Sequence, residues 1–226
     1  MEIILLSLFV ILYIFINETL FYYHEDKEQG KAEIVKSIKK IKFDRGFLVR
    51  GIISIVLGVA LITFYHLGKM DLSTVLKYII LFITLVYISY TDIKSFIIPN
   101  IFLILLLFFR IPSLVIDFFN YEILQVLKFY LLGGLTGFGI LLLVYLVTRK
   151  GLGEGDVKLY SVIGLYVGLH AVIPILAVSS VLTAAFGLLI IMLKKANLKT
   201  VIPLGPFLAM GTIFTTLMVY LRGGIL

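Results

Sequence analysis

Apolar runs of the roughly 20 residues that a bilayer-crossing helix needs follow one another along almost the whole of this 226-residue chain. The polar stretches between them are short, so no room remains for a soluble domain of ordinary size. Only 15% of the residues are charged and 61% are hydrophobic, whereas a soluble domain carries about 25% charged residues. The expected fold class is therefore all-α, a polytopic membrane helix bundle forming one membrane domain over residues 1–226.

Eight spans are expected. The first five lie at about 3–23, 47–66, 74–92, 97–117 and 125–148. A stretch of 38 residues then runs to about 193. It is too long for one helix and is expected to hold two, joined near His170 to Pro174. The last span covers about 204–221. The first run begins Met1-Glu2-Ile3 and continues without a small-residue cleavage site, so it reads as a retained helix rather than a signal peptide. There is no internal repeat and no low-complexity segment.

Charge distribution tests this count. Lysine and arginine concentrate in the cytoplasmic loops of membrane proteins. If segment 24–46 is cytoplasmic, alternation puts 93–96, 149–158 and 194–200 on the same side. With Arg50, these hold fifteen of the twenty basic residues; Lys69, Lys77, Arg110, Lys128 and Arg222 remain for the other side. The expected location is the inner (plasma) membrane, with both termini outside the cytoplasm. Asp92 then closes an inward-running span and Asp156 opens an outward-running one. Both acids fall at the cytoplasmic edge although 64 residues separate them. The net charge of +7 follows from these loops and suits contact with anionic lipid. No aromatic–basic pattern accompanies it, so no nucleic acid is expected as a partner. Segment 24–46 has Ile34, Val35, Ile38 and Ile41 at helical spacing among its lysines. It reads equally as a basic amphipathic helix on the membrane or as a solvated loop.

Ionisable residues at membrane depth are costly and mark function. Asp44, Asp71, Asp117 and Glu122 are expected in loops, where water accounts for them. Glu2 and Glu18 receive no role. Asp92 and Asp156 remain. Two carboxylates close together at a partly dry site cannot both ionise easily. Such a pair can activate water with one member and protonate a scissile carbonyl with the other, with no metal, cofactor or covalent intermediate. The chain has no cysteine, which excludes disulfides, thiolate zinc sites and a cysteine nucleophile. Gly151, Gly153 and Gly155 precede Asp156, and glycine allows positive φ and close backbone approach. Gly153 and Gly155 are accordingly candidates for shaping the loop or binding substrate backbone. Each feature alone has a plainer reading: a flexible connector for the glycines, a cap or a Lys94 partner for Asp92. The loop lacks the spacing of a phosphate-binding P-loop. His170 reads as structural. Ser179, Ser180, Thr183 and Gly187 read as a small-residue packing face. Pro203 and Pro206 are expected to set the entry to the last span.

Three segments carry a resemblance. Gly153-Glu154-Gly155-Asp156 resembles the GxGD motif of the type IV prepilin peptidases, a family of membrane aspartyl proteases. Asp92 followed by Ile98-Pro99-Asn100 resembles that family's first aspartate motif. Ile202-Pro203-Leu204-Gly205-Pro206-Phe207-Leu208-Ala209 resembles its Pro-x-Gly-Pro-Phe-Leu segment. The likeness covers about residues 75–215 in the family's order. It implies an endopeptidase that cuts the basic leader from pilin-like precursors on the cytoplasmic side, with Asp92 and Asp156 as the catalytic pair. Many bacterial members also methylate the new N-terminus. They carry a larger cytoplasmic domain after the first span, often with paired CxxC motifs. Here only the short segment 24–46 occupies that place and cysteine is absent, which puts methylation in doubt. The preflagellin peptidases share the same aspartate pair. From another class, a proton- or cation-coupled transporter would also use two such carboxylates.

Overall fold

The structure, a computed structural model, describes residues 2–28, 44–120, 122–148, 151–193 and 200–222. Most of segment 24–46 lies outside the described residues. The described residues form eight α-helices and no strand: α1 (Glu2–Glu28), α2 (Arg45–His66), α3 (Leu72–Ser95), α4 (Asn100–Asn120), α5 (Ile123–Val147), α6 (Glu154–Val167), α7 (Leu169–Met192) and α8 (Gly205–Leu221). Six of them (α1 to α5 and α7) are long and apolar enough to cross a membrane. At about 1.5 Å per residue, α6 and α8 extend only about 21 and 26 Å, less than the ~30 Å hydrocarbon thickness.

Local chemistry sets the helix ends. Asp44 caps α2 by accepting the Phe47 N–H at 2.7 Å. Asp71 accepts the Thr74 N–H at 3.3 Å and the Ser73 hydroxyl at the start of α3. These contacts satisfy amides that a first turn leaves without partners. At its other end, α3 stops where Phe96 takes φ 55°. Pro99 then biases the preceding residue away from helix, and α4 begins at Asn100. The Ile98-Pro99-Asn100 break is thus where the sequence places it.

The joint between α6 and α7 is at Gly168, just before the expected His170–Pro174 region. Gly168 adopts φ 76°, which glycine reaches without steric cost, and a Cβ there would run into the Phe129 ring. Pro174 lies inside α7 instead. His170 packs its ring edge-on against Phe129, with centroids 5.2 Å apart, the structural role expected of it.

Two compact units make up the chain, Met1–Tyr90 with Pro99–Glu122, and Thr91–Ile98 with Ile123–Leu226. In the first, a Cβ on Gly58 of α2 would stand 2.9 Å from Val10 of α1. Tyr13 of α1 shares a 2.8 Å hydrogen bond with Thr84 of α3. Arg50 of α2 pairs with Glu18 of α1, both almost fully buried. The Arg50 guanidinium lies 4.0 Å from the Phe21 ring centroid and 4.4 Å from that of Tyr90, positions suited to cation–π attraction. Asp117 is within α4 rather than in a loop, because that helix runs on to Asn120; it pairs with Arg110 at 3.2 Å.

In the second unit, α5 and α6 approach backbone to backbone. A Cβ on Gly133 would collide with the Gly164 carbonyl, and one on Gly164 with Gly133. A Cβ on Gly137 would be 2.9 Å from the Tyr160 carbonyl oxygen. Without a hydrophobic drive between helices in lipid, such small-residue contacts let dispersion hold them together. The expected packing face on α7 is met at Ser179, which is buried and lies where a Cβ on Gly211 of α8 would go. Phe186 of α7 and Phe207 of α8 add a ring contact at 5.3 Å.

Candidate active site

Three helix ends converge in the second unit. The last turn of α3 supplies Asp92, the first turn of α6 supplies Asp156, and the first turn of α8 supplies Gly205. Asp92 and Asp156 are both buried, at 5% and 9% exposure, in a chain whose carboxylates ordinarily seek water. Although 64 positions separate them in sequence, the ends of α3 and α6 bring the two acids near enough for the charge of Asp92 to raise the Asp156 carboxyl.

Asp92 is oriented by backbone. Its Oδ2 accepts the Gly205 N–H at 2.8 Å in a buried hydrogen bond. The local chain is closed behind it, where the Phe96 N–H donates to the Asp92 carbonyl at 2.9 Å. The cap to the following segment and the Lys94 partner that Asp92 alone suggested are thus replaced by a contact from the far end of the chain. A Cβ at position 205 would stand 2.8 Å from that same Oδ2, so the approach requires glycine.

Asp156 is the third residue of α6, after the N-cap Gly153, and its N–H donates to the Gly153 carbonyl at 3.2 Å. Its Oδ1 is buried and has no hydrogen-bond partner among the described residues. Burial, and after it the charge of Asp92, push the Asp156 carboxyl up to about 7, against a smaller lowering by the Gly153 backbone. The two carboxylates therefore sense each other, and the pair can hold one proton near neutral pH.

The glycines beside Asp156 act through space rather than through unusual torsions. Gly153 has φ −73° and ψ 141°, an extended conformation open to any residue. Positive φ occurs at Gly68 and Gly168 among the described glycines, so the torsional freedom expected of the loop is not what it uses. A Cβ on Gly153 would lie 3.0 Å from Asp156 Oδ2, and one on Gly155 would lie 3.0 Å from Ile98 Cβ. Glu154 between them is exposed and accepts the Tyr145 hydroxyl at 3.1 Å, tying the end of α5 to the start of α6.

Gly205 is the site residue that residue-level chemistry missed, since a glycine carries no side chain to suggest a role. The signal was its place in the Pro203-Leu204-Gly205-Pro206 turn. The glycine face of α5 was also legible, as the Gly133-x-x-x-Gly137 spacing.

Fold and site together define a multi-pass helical membrane protein that buries a pair of interacting carboxylates at its helix ends. Residues 79–188, which include Asp92 and Asp156, match the model of the Type IV leader peptidase family. Over that stretch the chain is similar to this family. Among curated proteins, it is 36% identical over 84 residues to a prepilin leader peptidase/N-methyltransferase of Xanthomonas campestris pv. campestris, covering 35% of this chain and 29% of the relative. It is 29% identical over 135 residues to the protein of that name from Bacillus subtilis, covering 59% of this chain and 52% of the relative. A third, from Aeromonas salmonicida, is 34% identical over 83 residues, 34% of this chain and 28% of the relative. The matches thus span between about a quarter and a half of the relatives' lengths. No solved structure matches the chain.

Proposed function

We propose that this chain is a membrane aspartyl endopeptidase that removes the leader from type IV prepilin-like precursors. The observation that carries the reading is that Asp92 and Asp156 are each buried and that the charge of Asp92 raises the Asp156 carboxyl. In the singly protonated pair Asp156 holds the proton and the ionised Asp92 takes one from water. The water oxygen attacks the scissile carbonyl carbon while Asp156 gives its proton to the carbonyl oxygen. Collapse of the tetrahedral species returns that proton to Asp156, and the proton held on Asp92 leaves with the amine. Burial strengthens each of these transfers, because water no longer competes for the charges.

The site faces the cytoplasm in this reading. The excess of lysine and arginine in the segments flanking Asp92 and Asp156 supports that orientation. The relatives are named for two activities, leader peptidase and N-methyltransferase. Only the first is assigned here, because it is the one that the aspartate pair can perform. Whether the precursor belongs to a pilus or to an archaeal-type flagellum is a matter of substrate choice, tested by offering both.

The test is co-expression with a type IV prepilin and a gel shift on leader removal. The parent chain shortens the precursor. If Asp92→Ala and Asp156→Ala both process it at the parental rate, the mechanism is wrong. Proton or cation flux in reconstituted vesicles that depends on Asp92, without any cleavage, would replace it with a transport function.

A further inference from the structure

Gly205 lies outside the stretch that matches the family model, which ends at residue 188. It nonetheless makes the one side-chain hydrogen bond recorded for Asp92 among the described residues, through its N–H at 2.8 Å. We propose that the backbone amide of Gly205 is the positioning group of the carboxylate pair, holding the Asp92 carboxylate in the orientation in which it takes a proton from water. This inference rests on the peptidase reading for its consequence in catalysis, but the contact itself can be probed without any substrate.

Three features of the geometry point to this assignment. First, Asp92 sits in the last turn of α3, where the helix's own carbonyl ends disfavour negative charge. Nothing in α3 itself holds the carboxylate, and an amide from the first turn of α8 does. A charge-assisted N–H bond of this kind is among the stronger hydrogen bonds available. Second, space is closed against any alternative. A Cβ on Gly205 would be 2.8 Å from Oδ2 and 3.3 Å from both Cβ and Cγ of Asp92, so any side chain there would displace the carboxylate. Third, the amide is itself held. Leu204 accepts the N–H groups of Phe207 and Leu208, each at 3.0 Å. Phe207 is buried against Phe186, and Gly211 lies against Ser179. The α7–α8 packing therefore fixes where the Gly205 N–H points, and the carboxylate follows.

The test uses the full chain in lipid vesicles. Gly205→glycolic acid, introduced by amber suppression, turns the amide into an ester: it removes the N–H and adds no bulk. Cleavage of a purified prepilin should lose about tenfold or more in kcat, the scale set by one hydrogen bond to a charged group, with KM unchanged. Gly205→Ala keeps the N–H but moves the carboxylate, and should lose on the order of 10²-fold, as sub-ångström to ångström misplacement does. A second readout needs no substrate. Dicyclohexylcarbodiimide reacts with protonated carboxyls in apolar surroundings, and mass spectrometry reads its addition at each aspartate. In the parent, Asp92 should label more slowly than Asp156; in the ester variant, labelling at Asp92 should rise several-fold. Unchanged labelling at Asp92 overturns the proposal whatever happens to cleavage. A rise in labelling with kcat unchanged overturns it as well, since the bond would then shape the carboxyl without serving the reaction. If the parent cleaves no prepilin at all, the peptidase reading fails separately and labelling alone decides the role of Gly205 as the group that holds Asp92.

Discussion

Gly155 meets Ile98 so closely that an added methyl group would crowd it: a Cβ on the glycine would stand 3.0 Å from Ile98 Cβ and 3.4 Å from Cγ1 and Cδ1. This contact joins the segment after Asp92 to the segment before Asp156, so it sets how the two acids approach. Gly155→Ala should destabilise the protein by about 1–3 kcal/mol, as overpacking does, and should reduce prepilin cleavage with it. Ile98→Ala in the same chain relieves the crowding at Cγ1 and Cδ1 but keeps Cβ, so it should restore only part of the loss. Thermal unfolding in detergent and the gel-shift assay measure both effects.

The two acids should fail as a unit. Asp92→Asn and Asp156→Asn each preserve shape and remove a titrating group, and each should lower cleavage by about 10²–10⁴-fold, the usual worth of one acid–base group. The double variant should be hardly worse than either single one, because residues acting on one proton path are not additive. A double variant whose loss equals the product of the two single losses would mean that the carboxylates work independently.

The pH profile should carry the signature of Asp156. Its carboxyl is pushed up to about 7 by burial and then by the charge of Asp92. Acting as the acid, it must hold its proton, which it does below about 7. The rate should therefore fall as pH rises through 7, approaching tenfold per pH unit beyond it. In the Asp92→Asn background, dicyclohexylcarbodiimide labelling of Asp156 should begin to fall at a lower pH than in the parent, because the neighbouring negative charge is gone and Asp156 ionises more readily. Labelling that keeps the parental pH dependence would mean that the two groups do not interact.

In the first unit the Glu18–Arg50 pair predicts stability rather than activity. Both side chains are almost fully buried, and Phe21 and Tyr90 wall the guanidinium. Glu18→Gln leaves Arg50 charged and buried, and should cost about 3–5 kcal/mol. Replacing the pair together, with Glu18→Leu and Arg50→Met, should recover most of that loss, because no unpaired charge remains. Chemical unfolding in mild detergent compares the three.

The α5–α6 contact supplies the sharpest packing test. Gly164→Ala places its methyl against the Gly133 carbonyl, where backbone cannot yield cheaply, and should disrupt folding of the second unit. Gly139→Ala, on the same α5 helix but with nothing within 4 Å of its added Cβ, should be neutral or stabilising by up to about 1 kcal/mol. Protease resistance of the two variants in membranes separates these outcomes.

Hydropathy in the sequence already determined an all-helical membrane bundle, because a chain in lipid must satisfy its backbone hydrogen bonds within each helix. The sequence also marked Asp92 and Asp156, since so few acids adjoin apolar runs, and it placed the break at Ile98-Pro99-Asn100 through proline's backbone restriction. What it left open was decided by contacts between residues far apart in the chain. Glu18 had no role until Arg50 stood beside it. Asp117 was expected in a loop and found its partner within α4. Gly168, rather than the region of Pro174, became the joint between α6 and α7, because the Phe129 ring leaves no room for a side chain there. Gly153 has extended torsions rather than the positive φ that glycine allows, and a Cβ on Gly153 or Gly155 would crowd Asp156 or Ile98. Gly205 came to Asp92 from 113 residues away, and only the packing of α8 on α7 aims its amide. Periodicity and composition report what each residue prefers around it. Which two residues meet is set by helix ends that converge in three dimensions, and a backbone N–H carries no mark in the sequence of the carboxylate it will hold.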